Sequence, residues 1–172
     1  METQKLADQS NWKQIIKEKE SKLEFFSQGT IKKPYQTGDT WEIPLFLKKL
    51  KTKWAKVLRQ VYQHPMSFPG SLSPAMGELF RALIMNIAPK NVLEIGSYIG
   101  VSGLWIASGM VEHDSHHKLY CVDLFNPHRD NPWCPGVEMS DPKEFVKKNI
   151  KKCGFQNFIE VCTGIRRQLR PK

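Results

Sequence analysis

No apolar run in the 172-residue sequence approaches the roughly 20 residues that a bilayer-spanning helix needs. The opening stretch, METQKLADQSNWKQ, also lacks the apolar segment of a secretory signal. These two absences argue against a membrane partner and for a cytoplasmic chain. Cysteine is scarce as well. Cys121, Cys134, Cys153 and Cys162 show none of the paired C-x-x-C spacing of a zinc site, and reduced thiols are expected. Cys121 and Cys162 fall in apparent strands, where free cysteine serves as a small apolar filler, whereas Cys134 belongs to the loop NPWCPG. There is no internal repeat or low-complexity tract.

What is present is the balance of a soluble globular protein, 40% apolar and 25% charged, enough for one core plus additional helix. The net charge of +9 is spread unevenly. Basic residues outnumber acidic ones 13 to 7 over residues 1–60 and 9 to 2 over 143–172, but are outnumbered 8 to 4 between. Basic ends could suit a polyanion. Lys147, Lys148, Lys151 and Lys152, however, recur at helical spacing opposite an apolar face, which reads as a solvated helix surface rather than a nucleic-acid site.

Periodicity divides the chain into leading helices followed by alternating strands and helices. Residues 11–26 read as a charged helix, capped by Asn11 or Ser10, and residues 27–42 as a loop with Gly29, Pro34 and Gly38. From 44 to about 64, apolar residues from Phe46 to Val61 recur at three- and four-residue steps, which predicts one amphipathic helix. HPMSFPGS ends it. Ser73 then caps a helix with Pro74 in its first position, and Met76, Leu79, Phe80, Leu83, Ile84 and Ile87 form a stripe expected to pack on a core. After Pro89 the period changes. NVLEI at 91–95 is the short apolar run of a buried parallel strand, helix resumes near Ser102, and a second strand covers 118–124. Asp141, Pro142 and Glu144 open a further helix that Gly154 closes, and 158–162 reads as a third strand. The expected fold is α/β: a Rossmann-like, doubly wound parallel sheet with only its first three strands present at 71–172, behind a helical N-terminal extension at 1–70.

Ligands of such sheets bind at the carboxyl ends of the strands. Two features fall there. In Glu94-Ile95-Gly96-Ser97-Tyr98-Ile99-Gly100, glycines four apart let the backbone turn tightly and approach a ligand. Asp123, 27 residues after Gly96, closes the second strand, where a carboxylate can accept hydrogen bonds from ribose hydroxyls. A dinucleotide site would show G-x-G-x-x-G, and this chain does not. Glu94, two places before the first glycine, would repel phosphate and could receive an ammonium group. S-adenosylmethionine has a ribose and an ammonium but no phosphate. Plainer roles exist for each residue: Glu94 or Ser102 as local caps, Tyr98 as a surface ring. His113, His116 and His117 with Asp114 read as a solvated return loop rather than a metal site. His128, Asp130 and Trp133 are candidates for a substrate entrance.

VLEIGSYIGVSGLWIA resembles the first motif of class I S-adenosylmethionine-dependent methyltransferases, nearest to the catechol-type and related small-molecule O-methyltransferases. SPAMGELFRALIMNIAPK resembles that family's lead-in helix, LYCVDLF its second strand, and FIEVCTGIRRQL its third strand and turn, so residues 73–169 are covered. The resemblance implies S-adenosylmethionine as cofactor. It implies that Glu94 receives the methionine amino group and that Gly96, Ser97 and Gly100 form the close turn, with Tyr98 and Ser102 near the carboxylate end. Asp123 would bind the ribose, and Leu124, Gly164 and Ile165 would lie by the adenine. Arg166 and Arg167 depart from the family's pattern.

In that family a base or metal ligand comes from the fourth strand onward, so no catalytic residue is assigned, and a divalent metal would enter only with a C-terminal half. The chain is therefore expected to be a C-terminally truncated enzyme or part of a longer product. Right-handed crossovers order the strands three, two, one and leave the first at an edge, where a homodimer, another chain or the N-terminal helices would cover it. Three functions stand: methylation of a hydroxyl on a small-molecule or glycan acceptor, non-catalytic cofactor binding or interaction, and RNA modification using the basic ends.

Overall fold

The computed structural model describes residues 39–113, 117–129 and 136–164. The helix expected at 11–26, together with Cys134, Asp130, Trp133 and Ile165, lies outside them. The stretch expected as one amphipathic helix is two, α1 at Leu45–Lys49 and α2 at Lys53–Tyr62. Leu50 turns extended, and Thr52 caps α2 by accepting from the Ala55 amide. Arg59 holds the break together by donating to the Leu47 and Leu50 carbonyls, which the interrupted helix would otherwise leave unpaired. The apolar period survives, since Leu47, Trp54, Val57, Leu58 and Val61 are all buried.

Helix α3, Pro74–Ile87, starts where Ser73 accepts the Met76 amide and stops at Ala88 in the left-handed region. Strand β1 (Asn91–Ile95), helix α4 (Val101–Met110) and strand β2 (Lys118–Asp123) follow. Asp141 caps α5 (Pro142–Cys153) through the Glu144 amide at 2.8 Å, Gly154 closes it at φ 81°, and β3 (Ile159–Thr163) completes the sheet. The strands are parallel in the order β1-β2-β3, with Leu93 beside Tyr120 and Cys121 beside Val161. This is the expected three-strand half of a doubly wound sheet. No helix among the described residues is long and apolar enough to cross a membrane.

Helix α4 is buried at nine of its ten positions, as a helix apolar on all sides must be. It meets the sheet at Gly103, where an added Cβ would lie 3.0 Å from the Cys121 sulfur. It meets α3 at Gly109, where a Cβ would come within 2.9 Å of the Arg81 carbonyl. At its centre the indole of Trp105, fully buried, fits against Gly77 of α3 and packs 5.8 Å from Trp54 and 6.3 Å from Phe46.

Two expectations about burial need correcting. The α3 stripe was to pack on a core, yet Met76, Leu79, Leu83 and Ile87 are 44–68% exposed, and only Phe80 and Ile84 lean on the core. The small residues Gly77 and Gly109 set the α3–α4 contact because they allow the closest approach, which turns the large side chains away from it. Strand β1 was to be buried, but its burial alternates. Glu94 faces the side covered by α4, while Leu93 and Ile95 are 56% and 69% exposed on the other. Among the described residues β1 lies at an edge of the sheet, in the strand order that right-handed crossovers give.

Gly77→Ala should test the contact that organises these layers. Its Cβ would lie 2.1 Å from the Trp105 ring nitrogen, so overpacking of about 1–3 kcal/mol should outweigh the roughly 1 kcal/mol that alanine gains over glycine in a helix. A fall in the urea midpoint is expected; a rise would mean that the indole relocates freely.

Candidate functional site

The chain leaves β1 through a turn of unusual backbone. Gly96 and Gly100 have φ of 88° and 83°, and Tyr98 between them has φ of 50°. Glycine adopts the left-handed region at no steric penalty, but a side chain there costs on the order of 1–2 kcal/mol. Asp123 at the end of β2 compensates. One carboxylate oxygen accepts the Tyr98 amide at 2.8 Å and the other accepts the amide of Phe125, also left-handed, at 2.8 Å. The Tyr98 hydroxyl donates to the Met66 carbonyl at 2.9 Å. Asp123 is thus a pin across two strand ends, and each of its oxygens keeps a second lone pair for a ligand hydroxyl.

Glu94 sits beneath this turn. Its carboxylate accepts from Ser97, itself 2% exposed, at 2.7 Å, and from Ser102 in the first turn of α4. Gly103 gives it room, since a Cβ there would be 3.2 Å from a Glu94 oxygen. That glycine went unused in the sequence reading. A third glycine is present, three places after Gly100, at the point of close helix–strand packing that the last glycine of a dinucleotide fingerprint serves. The Cys121 thiol beside it is pushed well up by burial and, secondarily, by the Glu94 charge, so it stays a neutral neighbour.

A cleft of about 350 Å³ opens over the turn. Glu94, Gly96, Ser97, Tyr98 and Ser102 line it, and Gly100 adjoins it with its Cα against Val146. Leu93, Ile95 and Phe80 form an apolar flank, and Gly70–Leu72 a facing wall. Glu94 is the one charged residue among the described residues of the lining. The other candidates group beside the cleft rather than in it: Gly164 donates its amide to the Asp123 carbonyl at 3.2 Å, and Leu124 is half exposed. His128 stands edge-on to Tyr98 at 5.0 Å and is bridged through its backbone to Met139. Among the described residues no group of three His, Cys, Asp or Glu side chains could hold a metal, and His117 is instead 2.6 Å from the Pro89 carbonyl.

The wall at 64–72 escaped the sequence reading, where it was only a helix breaker. Three aromatic donors fix it. Trp41 donates to the Ser67 carbonyl at 2.9 Å, Tyr98 to Met66, and Tyr62 to Leu72 at 3.0 Å, with Tyr62 itself receiving the Trp105 N–H at 2.7 Å. Burial keeps the Tyr62 phenol protonated far above its ordinary range. The available signal was Gly70, whose Cβ would press to 3.1 Å on the Tyr98 ring.

Comparison with known proteins agrees with this geometry. No family model matches the chain. Two mycobacterial proteins, from Mycobacterium sp. strain KMS and Mycolicibacterium vanbaalenii and both named "Putative O-methyltransferase", are 46% identical over 43 residues. That covers 25% of this chain and 20% and 19% of theirs. The O-methyltransferase from Bacillus cereus solved in complex with SAH superposes with a TM-score of 0.50 at 22% identity, over 66% of this chain and 45% of that one. The chain therefore spans less than half the length of each of these three proteins. What it shares with the Bacillus protein is the fold, the Rossmann-like α/β fold of class I methyltransferases.

His64 supplies a pH-dependent element of the wall. Its Nδ1 accepts the Met66 amide at 3.2 Å, and burial lowers its pKa below the usual 6.5. The folded state thus prefers the neutral ring. The stability it contributes is complete above about pH 6.5 and is lost as pH falls through the lower folded value. Urea midpoints measured between pH 7.5 and 5 should fall more steeply for the native chain than for His64→Asn, which can accept the same amide without titrating. Equal slopes would remove His64 from the account.

Proposed function

We propose that the chain is the S-adenosylmethionine-binding part of an O-methyltransferase that works in the cytoplasm on a hydroxyl of a small molecule or glycan. The observation that carries this reading is Glu94, the single carboxylate among the described residues that line the cleft at the glycine turn, the others being uncharged. A pyrophosphate would be repelled there, whereas an ammonium group would be attracted. The volume of about 350 Å³ lies within the range of small-ligand sites.

The residues present fit such a cofactor, which when bound supplies a methyl group on a positively charged sulfur. Glu94, oriented by Ser97 and Ser102, would hold the amino group, and the turn from Gly96 to Tyr98 would bring backbone close to the methionine portion. Asp123 would take the ribose hydroxyls on its remaining lone pairs, with Leu124 and Gly164 beside the base. The apolar flank of Phe80, Leu93 and Ile95 would exclude water from the sulfur end. Among the described residues Cys121, Cys153 and Cys162 are free thiols, which accords with a reducing compartment. The mycobacterial and Bacillus names support the reaction class; the acceptor follows from the resemblance to small-molecule enzymes.

Calorimetry with S-adenosylhomocysteine tests the reading. Glu94→Gln should weaken binding by at least about tenfold, since a hydrogen bond to a charged group contributes roughly 1.5–3 kcal/mol. Asp123→Asn should weaken binding and also lower the unfolding midpoint, because one of its two backbone amides loses an acceptor. Undiminished affinity in Glu94→Gln, or tighter binding of a pyrophosphate dinucleotide than of S-adenosylhomocysteine, would overturn the assignment.

A further inference from the structure

Tyr98 holds a left-handed backbone at φ 50° in the turn that follows β1, and a residue keeps such a conformation only where its surroundings over-determine it. Two of its restraints sit at opposite ends of the residue. Asp123 accepts its amide at 2.8 Å, and the Met66 carbonyl accepts its hydroxyl at 2.9 Å. The second restraint is only as firm as Met66, a fully buried residue in the short turn Pro65–Ser67 of the wall. His64 holds the start of that turn, its Nδ1 accepting the Met66 amide at 3.2 Å. Both backbone polar groups of Met66 are thus taken by side chains, its N–H by His64 and its carbonyl by Tyr98.

We infer that His64 is a positioning residue for the glycine turn: as a neutral ring it fixes Met66, Met66 fixes the Tyr98 hydroxyl, and ligand affinity therefore depends on His64 being uncharged. A charged ring carries hydrogen on both nitrogens and can no longer accept the Met66 amide. Two donors would then face each other at 3.2 Å beside a buried residue. The ring also has somewhere to go. His64 borders a second cavity, of about 360 Å³, that Glu138 of the preceding loop and Asp141, Glu144 and Lys148 at α5 also line. Three carboxylates against one ammonium attract an imidazolium away from Met66, and Phe145 packs 5.2 Å from the ring on that side. On α2, Arg59 is committed to the Leu47 and Leu50 carbonyls and the Tyr62 hydroxyl to Leu72, so neither stands in for the lost acceptor. Burial lowers the His64 pKa below the usual 6.5, which keeps the wall closed at neutral pH and opens it in mild acid. A ligand that needs the ordered turn favours the neutral ring, so its binding in that range releases a proton. The effect on affinity rests on the cofactor reading proposed above, whereas the link from His64 to Tyr98 does not.

Amide exchange on the full chain without ligand tests that link. The Tyr98 amide is compared with that of Leu119, which donates to the Phe158 carbonyl at 2.8 Å near the other end of β2. At pH 5.5 the ratio of the two rates should be at least about fivefold higher in the wild type than in His64→Asn, which accepts the Met66 amide without titrating. At pH 7.5 the ratios should agree. Equal ratios at pH 5.5 would overturn the inference, because a general loosening moves both amides together. Calorimetry with S-adenosylhomocysteine supplies a second arm. Between pH 7.5 and 5.5 the wild-type affinity should fall at least about fivefold more than that of His64→Asn, with circular dichroism showing each protein folded at both values. His64→Ala, which offers no acceptor, should bind more weakly than the wild type at pH 7.5 and without the extra pH dependence. Near pH 6, titrations in two buffers of different ionisation enthalpy should show more proton release for the wild type than for His64→Asn. Parallel pH profiles would overturn the effect on affinity, while absence of binding in all three proteins would sink the cofactor reading and leave amide exchange to decide on His64.

Discussion

The position of Trp105 governs the rest of the molecule. Its indole fills the space left by the missing side chain of Gly77, and this holds α3 against α4 at glycine distance. Its N–H passes through the Tyr62 hydroxyl to the Leu72 carbonyl, so the same residue that fills the core fixes one end of the cleft wall. Packing and site geometry are therefore coupled. A buried tryptophan needs a partner for its N–H, and here the partner is part of a relay that reaches the ligand-facing loop.

A second coupling runs through Asp123. The turn after β1 is strained at Tyr98, and the strain is held by a carboxylate from the neighbouring strand rather than by the turn itself. The parallel register brings Ile95 beside Val122, which sets the Asp123 carboxylate beside the turn. Binding a ribose at the remaining lone pairs would add to a network that is already made. Such preorganisation reduces the ordering that a ligand must impose. Glu94 is arranged on the same plan, with two serine hydroxyls fixing the carboxylate before any ligand arrives.

Against this ordered interior stands the side of β1 and α3 that the described residues leave exposed. Glycine contacts draw α3 close to α4 and turn its large apolar residues outward, while the right-handed crossovers place α4 and α5 on one face of the sheet. The same rules that build the cleft thus leave an apolar surface next to it. The cleft borrows Leu93 and Ile95 from that surface, which ties whatever covers the face to the chemistry beneath it.

The local chemistry of the sequence by itself determined the order of elements, the caps at Ser73, Asp141 and Gly154, the parallel sheet and the glycine turn. Each depends on neighbours within a few residues or on a short repeat, and such signals survive in one dimension. It also singled out Glu94, Gly96, Ser97, Tyr98 and Ser102, which the fold brings to one cleft. Only the tertiary structure decided that the long amphipathic stretch breaks at Leu50, where Arg59 from the next helix pairs the freed carbonyls. Only it revealed the wall at 64–72, since three aromatic donors reach it from as far away as Trp41 and Tyr98. It alone turned the α3 stripe outward, because periodicity says which residues share a face but not whether a large stripe or two small glycines will form the contact. Closest approach of backbones decided that, and it is a property of pairs of elements rather than of either one.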